Sequence, residues 1–264
     1  AKAFDRHHLE GLKLGTKAAD DAWLKETCDT LLSIGDFPAM DVAAEVLRAG
    51  YSPESFFQAA SMAATQIVLR DPGRPSTWAS PDKPEGSVHG DSVGVHCSDA
   101  INAWRNIARV ADDRNKIAAC LLAAKQVGRD AQQSSIGAKL ASTPARPFDD
   151  DLHRIEKVPS AKLIAEADAA IRDKDQARAC AAVDRLGREG ADPAPIISLL
   201  RKYAISEDGA LHAEKYYRTV CEEFAGTPTA YRWRNLTALA RVTASEYGST
   251  APGYAQSREL LGFS

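Results

Sequence analysis

The sequence predicts an all-α protein built as two pseudo-symmetric helical modules, an internal duplication packed face to face. Three observations predict it. Apolar residues recur at helical period along most of the chain, and few runs alternate with period two. Ala, Leu, Arg, Lys, Glu and Gln dominate while β-branched clusters are scarce, so intrinsic propensity agrees with the pattern. The chain also matches itself when slid by 140 residues.

In chain order, the first module, residues 1–140, reads as helices over about 17–34, 38–49, 53–70, 93–110 and 113–130. A proline-bearing linker covers 141–159. The second module, residues 160–264, reads as helices over about 160–173, 175–189, 193–204, 209–225 and 229–247. The punctuation repeats: Gly50 and Gly190 stand at helix stops, where a left-handed residue closes the last turn. Pro53 and Pro193 follow three residues later, at a first turn where the missing N–H is harmless. Ser52 and Asp192 precede them as N-caps. At this offset Trp23 falls on Leu163, Leu24 on Ile164, Leu31 on Ile171, Val46 on Leu186, and Phe56 and Phe57 on Ile196 and Ile197.

Residues 71–90 carry four prolines and three glycines and interrupt the first module as a long loop. Beyond the loop the offset falls to 116, which lays His96 on His212, Ala100 and Ile101 on Tyr216 and Tyr217, and Trp104 on Val220. Each module is then expected to place a histidine at the matching point of a late helix.

Composition excludes several classes. The 33 basic residues are scattered among 36 acidic ones, the formal net charge is −3, and no basic stripe interleaves with aromatics, so no nucleic-acid partner is expected. The longest apolar stretches are far below the roughly 20 residues of a membrane-spanning helix. Five cysteines, with no C-x-x-C pair, exclude a complete disulfide framework and a zinc ribbon, and read as buried free thiols. The numbering opens at Ala1 rather than at methionine, and the expectation drawn is a soluble, exported or periplasmic protein whose targeting peptide has been removed.

The candidate chemistry lies on the two histidine helices. His96 and Asp99 are three apart on one helix, and His212 and Lys215 stand in the same relation on the other. The expectation is a two-histidine site between the modules, where pockets commonly form. Three readings compete. In one, His96 and His212, with a carboxylate from Asp99, Asp91 or another helix and with His89 of the glycine loop as a further candidate, hold a mononuclear transition metal such as iron; two histidines and a carboxylate suit an open, oxygen-activating centre. In another, no metal binds, and His96, His212, Asp99 and Lys215 act as acid, base and charge partners to an acidic or quinone-like ligand. In the third, each histidine caps or packs a helix start. Asn102, Trp104 and Tyr216 are the positions that would line a cofactor, although aromatics at this spacing also serve a core. Trp78, in the long loop, reads either as a lid or as a side chain pinning the loop to the surface, the second being preferred. His7 and His8 read as solvent-exposed, and His153 as part of a solvated acidic linker beside Asp149, Asp150 and Asp151. Phosphate-loop, H-E-x-x-H, G-x-S-x-G and EF-hand patterns are absent from the sequence, as are the paired Glu-x-x-His helices of di-iron bundles.

At His96-Cys-Ser-Asp-Ala-Ile-Asn102-Ala-Trp104-Arg105, and again at His212-Ala-Glu-Lys215-Tyr216, the chain resembles an uncharacterised group of bacterial helical proteins, frequent in planctomycetes and often exported. That resemblance implies that His96, Asn102, His212 and Lys215 are the positions to examine, and it implies no activity. The chain is also faintly similar to the questin oxidase-like family, which has helical pairs and a histidine opening a later helix; this implies oxidation of an aromatic or quinone substrate.

The functional expectation is a metal- or cofactor-assisted oxidoreductase serving a small-molecule or redox partner. The alternative is a non-catalytic ligand- or partner-binding subunit of a larger complex, the usual role of helical-repeat arrays.

Overall fold

A computed structural model describes residues 2–81, 83–88, 92–133, 140–209 and 212–263. The described residues form thirteen α-helices and no β-strand, as an all-α fold requires: α1 (Lys2–Arg6), α2 (Asp21–Ser33), α3 (Asp36–Arg48), α4 (Pro53–Arg70), α5 (Val93–Val110), α6 (Asp113–Ala131), α7 (Asp149–Arg154), α8 (Ser160–Arg172), α9 (Gln176–Arg188), α10 (Ala194–Ser206), α11 (Ala213–Gly226), α12 (Trp233–Glu246) and α13 (Tyr254–Leu260). None is long and apolar enough to cross a membrane.

Ten of these are the helices expected from periodicity. The other three are short: α1, α7 and α13 have 5, 6 and 7 residues, too few for an apolar stripe to repeat. The acidic run expected to be a solvated loop is the first turn of α7, where Asp149, Asp150 and Asp151 meet the positive end of the helix and the Asp151 carboxylate accepts the Phe148 N–H. His7 is not solvent-exposed as expected. Its Nε2 lies 2.6 Å from Asp41 Oδ1, and Phe4 and Leu9 on either side of it are buried.

By contact the chain divides into two compact units. Unit 1 comprises Ala1–Asp71, Val93–Thr143 and Ala225–Arg232; unit 2 comprises Pro72–Ser92, Pro144–Phe224 and Trp233–Ser264. The long loop therefore counts with unit 2, and the short connection between α11 and α12 counts with unit 1.

In unit 1, α6 packs on α3, α4 and α5, and α2 on α4. Its core is aliphatic and aromatic, with Leu31, Leu47, Phe56, Phe57, Ile67 and Ile101 sealed from solvent. Unit 2 centres on α12, packed against α8, α9 and α10. Every residue of α12 from Asn235 to Glu246 is buried, so it is a helix enclosed on all faces rather than amphipathic. Two of its threonine hydroxyls are satisfied locally: Thr237 donates to Trp233 O and Thr243 to Leu239 O.

The repeated punctuation is realised in backbone detail. After α3 the N–H groups of Ala49, Gly50 and Tyr51 donate to the carbonyls of Glu45, Leu47 and Val46; after α9 those of Glu189, Gly190 and Ala191 donate to Arg185, Gly187 and Leu186. Gly50 and Gly190 both take positive φ, 82° and 67°, which an L side chain resists. Ser52 then caps α4 through the Ser55 N–H, while Asp192 accepts from Ala194. In α2 and α8 the register differs from the expected one by a residue. The buried residues Leu24, Cys28, Leu31 and Leu32 of α2 have the same spacing as buried Leu163, Ala167, Ala170 and Ile171 of α8, which matches Leu24 with Leu163 rather than with Ile164.

Candidate functional site

Helix α5, in unit 1, carries four of the expected residues, and their burial differs. His96, in its first turn, is exposed, whereas Asp99 and Asn102 are buried and Trp104 is half-buried against the unit 1 core. Asp99, Asn102 and Asn106 fall three or four apart and form one polar stripe, with the Asn106 Nδ2 donating to Asn102 Oδ1 at 3.2 Å. Arg105 flanks this stripe and is the largest fully buried side chain, 1% exposed. Its guanidinium forms a two-pronged pair with the Glu54 carboxylate, Nε lying 3.2 Å from Oε2, and Nη2 also reaches the Gly226 carbonyl at 3.4 Å.

Helix α11 carries the second group, in unit 2. His212 precedes its first residue; the His212 carbonyl accepts the Tyr216 N–H at 2.8 Å, placing the histidine at the N-cap. Tyr216, Thr219 and Glu223 are buried and continue from His212 at helical spacing, while Lys215 is exposed. His96, Asp99, Asn102, His212, Lys215 and Tyr216 are each engaged by a polar, ring or electrostatic partner.

The two histidines do not hold equivalent positions. His96 is the fourth residue of α5, and His212 stands just outside α11. The offset that pairs them also sets exposed Ala103 and Ile107 of α5 on buried Thr219 and Glu223 of α11, and buried Asp99 on exposed Lys215. The cause is the polar stripe. On both helices polar residues are inside, so matching apolar spacing selects the wrong phase.

His89 and Asp91, expected as metal ligands, lie outside the described residues. Among the described residues no three His, Cys, Asp or Glu side chains assemble as a metal site. A cleft of unit 1 lined by Asp29, Ser33, Arg70, Gln132 and Ser142 contains none of the expected site residues.

The long loop is more ordered in its bonding than its composition suggests. Arg74 and Ser87 pair through the Arg74 N–H, Gly86 donates back to Arg74 O, and Ser80 and Lys83 exchange both backbone bonds. Trp78 sits on a 3-10 turn, Ser76–Trp78, and is 69% exposed. At that exposure most of the ring faces solvent, and Trp78 lines none of the clefts found among the described residues.

The thiols are largely inert. Burial pushes Cys28 and Cys180 up to about 12. Burial, with the Asp130 carboxylate beside it, raises Cys97 as well. Cys221, half-buried, is raised by burial and hydrogen-bonded by the Tyr217 hydroxyl, whose own value rises to about 12 through burial and that bond.

Sequence reasoning missed Arg105, Thr219, Glu223 and the buried Asn235, Arg241 and Glu246 of α12. A polar residue every three or four positions on a helix reads by default as a solvated face, and only the enclosed packing reverses that reading. Compared with family models, with characterised proteins and with solved structures, the chain matches none.

Proposed function

We propose that the protein binds and transforms a small polar ligand, as a metal- or cofactor-assisted oxidoreductase, using His96 with Asp99 and Asn102 on α5 and His212 with Lys215 and Tyr216 on α11. The observation that carries this reading is the inward polar stripe on each helix that also carries a histidine: Asp99 and Asn102 on one, Thr219 and Glu223 on the other. Burying a polar group costs about 1–3 kcal/mol wherever its hydrogen bonds are imperfect. Apolar residues would stabilise the same positions more simply, so buried polar stripes on the two histidine-bearing helices support a chemical role. An imidazole beside a carboxylate is suited to moving a proton at neutral pH, and an ammonium such as that of Lys215 to holding an anionic or quinone-like oxygen. The resemblance to the questin oxidase-like family points the same way.

The test is elemental analysis, absorption spectroscopy and mass spectrometry of untagged protein as purified, beside His96→Ala and His212→Ala. A metal or organic group at one per chain, lost in both variants while their helical circular dichroism is retained, is the expected outcome. A colourless chain with no bound group would remove the reading.

Trp78 favours a second reading, a non-catalytic partner-binding subunit. An exposed tryptophan held on a bonded loop is the residue type that anchors protein interfaces. On this reading Trp78→Ala, and not His96→Ala, abolishes a complex retained through native purification.

A further inference from the structure

Each compact unit contains one short segment, of about twenty residues or fewer, whose chain neighbours on both sides belong to the other unit: 72–92 in unit 2, between α4 and α5, and 225–232 in unit 1, from the end of α11 to the start of α12. Both segments are pinned by side chains of the unit they join. In unit 1 the Gly226 carbonyl accepts from Gln58 Nε2 at 2.9 Å and from Arg105 Nη2, and the Tyr231 hydroxyl donates to Asp21 O at 2.9 Å. A Cβ on Gly226 would lie 2.5 Å from Arg105 Nη2, so the buried guanidinium and the strap occupy each other's only room. In unit 2 the Gly86 carbonyl accepts from Gln176 Nε2 at 2.8 Å, Gln176 Oε1 in turn accepts from the buried Arg241 Nε at 3.1 Å, and the fully buried Val88 donates its N–H to Ser245 Oγ at 2.8 Å. The two attachments use the same residue types: a helix glutamine donates to a glycine carbonyl of the visiting segment, and a buried arginine either joins it on that carbonyl, as Arg105 does, or braces the glutamine, as Arg241 does.

We infer that these segments are reciprocal straps that make the two units fold and open as one. Unfolding unit 1 frees 225–232 and pulls on α12, the enclosed helix of unit 2; unfolding unit 2 frees 72–92 and pulls on the starts of α5 and the end of α4. Neither unit is complete without a segment threaded from the other, so the straps, not only the linker at 144, transmit stability along the chain.

Hydrogen–deuterium exchange of the full chain across a urea series tests this, following peptides of α3 and α6 for unit 1 and of α9 and α12 for unit 2. In the wild type the two sets are expected to lose protection at one common urea concentration. In the double variant Gly226→Ala/Gln176→Ala the two curves are expected to part, the exchange of one set rising about ten-fold before the other responds. Should Gly226→Ala prevent folding, Gln58→Ala takes its place, removing one strap bond without crowding Arg105. Separate curves in the wild type, or curves that stay together once both straps are loosened, would overturn the inference.

Discussion

The turn from α3 to α4 and the turn from α9 to α10 are built from the same three backbone bonds around a left-handed glycine, whereas α5 and α11 share little beyond a histidine near the start. The turns agree because their geometry is local: a glycine at positive φ, a proline and a short capping side chain determine the path within a few residues. The histidine helices differ because their burial is set by what surrounds them. The likeness is confined to these turns and does not extend to α5 and α11.

The largest effects expected of this comparison come from the core register. Leu24→Ala and Leu163→Ala, both fully buried, should each lose about 3 kcal/mol in urea unfolding, while Ile164→Ala, half-exposed, should lose about 1 kcal/mol. A larger loss at Ile164 than at Leu163 would restore the register read from apolar spacing. Next come the buried thiols, Cys28 in unit 1 and Cys180 in unit 2, both pushed up to about 12. A folded-state value above the unfolded one keeps the proton on the native thiol, so its stability is present below the unfolded value, 9.0, and falls as pH rises toward 12. Between pH 9 and 10 each thiol should remove on the order of 1 kcal/mol, and Cys28→Ala or Cys180→Ala should flatten the decline. Gly50→Ala and Gly190→Ala should each cost about 1 kcal/mol through the same strained φ; unequal losses would break the equivalence of the two turns. The smallest effects belong to His96→Ala and Trp78→Ala. Both side chains are exposed, so thermal unfolding should shift by less than about 0.5 kcal/mol in either variant.

What could be read in advance follows the same division. The ten longer helices were legible because amphipathic period and capping chemistry are written in neighbouring residues, Ser52 and Gly50 among them. The short α7 and α13 were not, because a single turn or two has no period to detect. Asp99, Arg105 and Glu223 were hidden for a different reason. An enclosed polar residue and a solvated one look alike in sequence, and the polar stripe that marks the candidate site also set the two histidine helices out of phase. Trp78 illustrates the converse, a large apolar ring that the sequence assigns to a surface or a pocket and that the fold leaves in solvent.

The most direct test of the functional account is a double-mutant cycle on bound-group content per chain, using wild type, His96→Ala, His212→Ala and the double variant. Under the proposed function, full occupancy in the wild type, collapse in each single variant and no further loss in the double is the predicted result. Equal occupancy in all four proteins, or none in any, would contradict it.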